Sequence, residues 1–157
     1  MARGRIVSDI APASAPLPSP DTEGAVWART GDGTRIIYGI PGEAAMVALQ
    51  CTDRTSAMPI LQITRIVRAD EGASALLAMV GNGHIGRLKV DAIERAGTPV
   101  WHGSLAASDD AWEPLAGPRA LTLTVPGAGM VRLNPSSIPS ELIAECRTNG
   151  AVGESAD

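Results

Sequence analysis

The chain has 157 residues, one domain's length, enough to hide about two-thirds of its unfolded surface around a single core. Its 17 acidic side chains outnumber 13 basic ones, twelve of them Arg with Lys89 the one Lys; the formal charge is -4 and no basic run tracks a phosphate backbone, which sets nucleic acid aside as a partner. There is no Phe, one Tyr and three Trp, so packing falls to Leu, Ile, Val, Met and Ala, and no stretch approaches the roughly 18 consecutive apolar residues of a transmembrane segment.

Residues 1–23 read as a disordered arm. Pro12, Pro16, Pro18 and Pro20 stand among Ala and Ser, a composition that makes neither a ladder nor a helix interior. Met1 to Asp21 lacks the apolar core of about 7–15 residues that defines a signal peptide. Stalks of this kind follow a leader or a lipid-anchoring residue, so the expectation divides between a cytosolic chain and an exported one whose leader lies outside the sequence as given.

Beyond the arm, period-two patterns recur. Leu121-Thr122-Leu123-Thr124-Val125 alternates as a strand with one buried face should. Strands are predicted at Val26 to Arg29, Thr34 to Tyr38, Ala45 to Cys51, Ile60 to Val67, Ser74 to Val80, Gly86 to Val90, Thr98 to Gly103, Ala120 to Val125 and Met130 to Leu133, roughly nine in all. Asp32-Gly33 and Asn82-Gly83 supply the positive φ that tight hairpin turns need. Ala96-Gly97, Gly127-Ala128-Gly129 and Asp70-Glu71-Gly72 are predicted to make hairpins too. The gap from Leu105 to Pro118 holds one short helix, capped by Ser108, with Asp109 and Asp110 in its first turn and Pro114 as its stop. A second helix begins after Ser136 and Ser137, takes Pro139 in its first turn, and repeats Ile138, Leu142 and Cys146 at four-residue spacing. After Arg147 the small, polar tail, residues 149–157, is expected to fray. The fold class is all-β: an antiparallel β-sandwich or flattened barrel over residues 24–148, closed by a C-terminal helix.

Cys51 and Cys146 both point inward in the patterns of their own segments. They form either a disulfide or two buried thiols. Were they joined, the 95-residue separation would make the crosslink worth about 4.7 kcal/mol in the chain-entropy model and would place the protein in an oxidising compartment. Neither has a further Cys or a His at metal-ligand spacing, so no metal is expected.

The remaining chemistry is sparse. His84 follows a turn and reads as solvated. His102 is flanked by Trp101, with Ser104 two residues on and Asp109 and Asp110 downstream, so a Ser-His-Asp reading can be written; residues so close in sequence rarely bring a hydroxyl, an imidazole and a carboxylate into line. Gly81-Asn82-Gly83-His84-Ile85-Gly86 matches the dinucleotide spacing, but a strand follows where a helix would be required. Asp21, Glu23, Asp32, Asp53, Asp70 and Glu71 scatter over turns and gather no calcium loop. Arg65 and Arg68 are candidates for an anion, and Trp27, Trp101 and Trp112 for a small binding groove.

At Tyr38-Gly39-Ile40-Pro41-Gly42-Glu43-Ala44 with Leu49-Gln50-Cys51, at Leu121 through Val125, and at Glu141-Leu142-Ile143-Ala144-Glu145-Cys146-Arg147, the chain resembles a group of bacterial envelope proteins. These are small β-sandwich domains, distantly similar to the invasion-associated locus B family. The resemblance spans Trp27 to Arg147. It implies export, with a leader or lipoprotein anchor, and a disulfide between Cys51 and Cys146; it brings no catalytic residue. The expected function is therefore a non-enzymatic binding or structural module of the periplasm or cell envelope, without a cofactor, facing a protein or another envelope component. The alternatives are a small hydrolase using His102 with Ser104, and a cytoplasmic β-barrel that takes a small apolar ligand.

Overall fold

Side chains that alternate between the two faces of each strand decide the architecture, and one face of every strand is drawn into a common interior. In a computed structural model of the protein, residues 17–31, 33–53 and 56–155 are described, the last seven by their backbone alone. The strands are β1 (Val26–Thr30), β2 (Arg35–Gly39), β3 (Val47–Thr52), β4 (Ile60–Arg68), β5 (Ser74–Gly81), β6 (His84–Arg95), β7 (Thr98–Ala106), β8 (Leu121–Val125) and β9 (Gly129–Leu133). They form one antiparallel sheet in the order β1-β2-β3-β4-β7-β6-β5-β8-β9. The sheet curls: Tyr38 on β2 donates its phenolic hydrogen to the Arg132 carbonyl on β9, 3.1 Å away, and accepts from the Asn134 amide. Ile36, Leu49, Leu61, Ile63, Leu77, Met79, Leu123, Val131 and Leu133 fill the concave side.

The turns follow their chemistry. Asn82-Gly83 and Ala96-Gly97 are two-residue loops with positive φ at both positions, which hold Gly81 opposite His84 and Arg95 opposite Thr98. At the first hairpin Asp32 lies outside the described residues, and Thr30 pairs with Arg35 around it. Asp70-Glu71-Gly72 differs from expectation. It is not a hairpin, because β7 takes the place beside β4 and β6 stands between β7 and β5. The link instead runs across the strand ends, with the Ala69 amide on the Pro99 carbonyl and the Ala92 amide on the Ala73 carbonyl. Strand β6 is also longer than its sequence pattern suggests, since its first part pairs with β5 and its last with β7.

A 3₁₀ helix, Asp110–Leu115, and an α-helix, α1 (Ile138–Ser155), close the end opposite the Asp70 link. Asp109, one residue past the expected Ser108, caps the first, and Pro114 lies inside it. The Asp109 carboxylate reaches the Ala111 amide, which the shorter Ser108 is one residue too early to do. In α1 the Ser136 hydroxyl accepts from the Ile138 amide, and Leu142, Ile143 and Cys146 are buried. The helix continues past Arg147, where the apolar spacing ends. Arg29 grips Glu145 with two hydrogen bonds, 3.1 and 3.0 Å, and Arg147 reaches the Ala107 carbonyl at 2.7 Å and Glu113 at 3.1 Å. Of the segment read as an arm, residues 1–16 lie outside the described residues. Its remainder makes contact: Thr22 is buried and its carbonyl accepts from Asn134 Nδ2 at 2.8 Å.

In the Gly81 to Gly86 stretch, Gly83 serves the turn, while Gly81 and Gly86 are accounted for by packing. A Cβ on Gly86 would stand 2.0 Å from the Ala111 carbonyl oxygen, so the 3₁₀ helix lies directly on β6 there. Gly86→Ala is expected to cost about 1–3 kcal/mol, the scale of overpacking, read as a lower urea midpoint. An unchanged midpoint would mean the 3₁₀ helix moves aside freely.

Candidate functional site

Following the register across five strands picks out one inner rung. Trp27 faces Tyr38, Tyr38 faces Val47, Val47 faces Arg65, and Arg65 faces Trp101. In sequence Arg65 is in phase with Leu61 and Ile63, and that parity carries it to the concave face. Immediately after it, β4 slips register before Arg68 pairs with Val100, a bulge that leaves Arg68 exposed. Of the two arginines considered as anion ligands, one is inside and the other outside.

Arg65 is 3 % exposed. Its Nη1 donates to the Met46 carbonyl at 2.9 Å, and its Nε has no partner. Burial pulls the guanidinium down to about 10, which leaves it charged at neutral pH. Trp27 Nε1 and Trp101 Nε1 are likewise buried without an acceptor. Among the described residues these three nitrogens are the buried side-chain polar atoms left unsatisfied, and all three stand on the same rung. Tyr38 is satisfied; its ring packs against Trp27 with centroids 5.2 Å apart, and burial pushes its phenol up. Trp112 belongs elsewhere, on the buried side of the 3₁₀ helix, with its indole on the Ala106 carbonyl at 3.0 Å.

The outer face carries a second rung, Ala48–Thr64–His102–Asp91–Ser74. His102 Nδ1 shares a hydrogen bond with Thr64 Oγ1 at 3.0 Å, Asp91 accepts from the Ser74 hydroxyl, and Ser104 is exposed opposite Gln62. Asp109 caps its helix and does not orient the imidazole. The hydrogen-bond partner of His102 thus comes from the neighbouring strand β4, which adjacency in sequence could not reveal. Partial burial, and then the charge of Arg95, hold the His102 imidazole below its ordinary range. With a folded pKa under the unfolded value of about 6.5, the unfolded chain takes up the proton first as pH falls. This contribution is complete above about pH 6.5 and erodes below it. Denaturation midpoints taken from neutral to mildly acid pH should therefore decline, and His102→Gln should flatten that part of the decline; an identical slope in the variant would contradict it.

Cys51 on β3 and Cys146 on α1 are joined in a disulfide with their Cα atoms 5.8 Å apart. His84 is exposed at its turn. A depression of about 200 Å³ lies on the outer side of β1 and β2, lined by Ala28, Ile37, Ile40 and Pro41. Among the described residues no three His, Cys, Asp or Glu side chains gather as a metal would require, and no helix is long and apolar enough to cross a membrane. Comparison with protein-family models, with curated proteins and with solved structures finds no match to this chain.

Proposed function

We propose that this protein is an exported, non-enzymatic β-domain of the bacterial envelope, acting as a binding or structural module. The observation that carries the proposal is the Cys51–Cys146 disulfide, which ties the third strand to the closing helix across 95 residues of sequence. Such bonds persist in oxidising compartments and are rare in the cytosol. The resemblance of the Tyr38 to Ala44, Leu49 to Cys51, Leu121 to Val125 and Glu141 to Arg147 segments to envelope proteins supports the same compartment. Binding is favoured over hydrolysis because the imidazole of His102 is engaged by Thr64, while the inner rung holds unsatisfied donors. Fractionation of the native host, followed with an antibody to this chain, tests the compartment. The protein is expected with periplasmic or envelope markers, and recovery with the cytosolic marker would overturn the reading.

A further inference from the structure

A buried guanidinium without a counter-ion is costly, and buried charges are ordinarily paired. Among the described residues the one hydrogen bond of the Arg65 guanidinium goes to a backbone carbonyl, and no carboxylate forms an ion pair with it. The geometry of that bond decides which part of the group remains available. Nη1 lies on the Cδ side of the guanidinium plane, so its use by Met46 leaves the opposite edge, Nε with Nη2, whose two N–H bonds run parallel. That edge matches the two oxygens of a carboxylate. Trp101, opposite Arg65 on the same face, has an indole N–H that, like Arg65 Nε, is buried without an acceptor.

We propose that Arg65 and Trp101 form a binding site for a small carboxylate, the Nε–Nη2 edge of Arg65 holding its two oxygens and the Trp101 indole donating to one of them. Charge favours a monoanion. A phosphate monoester brings close to two negative charges, and this rung offers one cation. Close packing restricts the ligand to a small molecule, since Tyr38 and Val47 on the rung are fully buried and a Cβ added at Gly127 would stand 3.8 Å from the Trp101 ring. The inference rests on the binding half of the function proposed above and is independent of the compartment.

The full disulfide-bonded chain is unfolded by heat in sodium acetate and in sodium chloride of equal ionic strength. Acetate should raise Tm saturably, by about 3–6 °C at ten times its apparent Kd. Arg65→Met, which replaces the buried charge with an apolar chain of similar length, should fold and lose the acetate-specific rise; Arg65→Gln serves if it does not fold. In the unsubstituted chain, acetate titration should move the Arg65 Nε–H and Trp101 indole N–H resonances. Equal Tm in the two salts, an acetate effect that survives in Arg65→Met, or resonances that stay in place because ordered water already satisfies the donors would each overturn the site. A larger Arg65-dependent response to phosphate than to acetate would overturn its assignment to a carboxylate. None of these outcomes alters the fractionation result, so the two proposals fail separately.

Discussion

Trp112→Ala is expected to lower the unfolding free energy by about 3–5 kcal/mol, the largest loss foreseen for a single side chain here. Trp112 is fully buried and is the largest side chain of the 3₁₀ helix Asp110–Leu115, which packs on β6, β5 and α1. Truncation removes the ring and leaves a cavity, and it also strips the Ala106 carbonyl of its indole donor. Trp112→Phe, which keeps most of the volume but not the donor, should recover much of the loss. The readout is the urea midpoint at constant slope. A midpoint unmoved by Trp112→Ala would mean that the 3₁₀ helix lies outside the cooperative unit.

The second large effect belongs to the crosslink. Reduction, or the double change Cys51→Ala with Cys146→Ala, should cost about 2–5 kcal/mol. The disulfide restricts the unfolded chain, whereas the helix it anchors is also held by Leu142, Ile143 and the Arg29–Glu145 pair. The reduced protein is therefore expected to retain its sheet and to unfold at lower denaturant concentration. Identical midpoints with and without reductant would show that the bond contributes nothing to stability.

What could be read from the sequence were the features set within a few residues: alternation for the strands, Asn82-Gly83 and Ala96-Gly97 for two turns, and the four-residue spacing that brings Leu142 and Cys146 to one face. What escaped depends on partners distant in the chain. Asp70-Glu71-Gly72 has the composition of a hairpin turn, but composition does not say that β7 will occupy the place beside β4. His102 bonds Thr64, 38 residues before it, and stands opposite Asp91 on β6, through sheet register alone. Arg65 is the instructive case. Its charge reads as surface, while its parity with Leu61 and Ile63 reads as core, and parity prevailed because the strand's other inner positions leave no choice of register.

Whether Cys51 and Cys146 are joined in the cell is read on protein taken from its native host with free thiols blocked at lysis and digested with trypsin without reductant. A crosslinked pair is expected, Ile36 to Arg54 joined to Leu133 to Arg147 through Cys51 and Cys146. Recovery of both peptides separately, each carrying an alkylated cysteine, would contradict it.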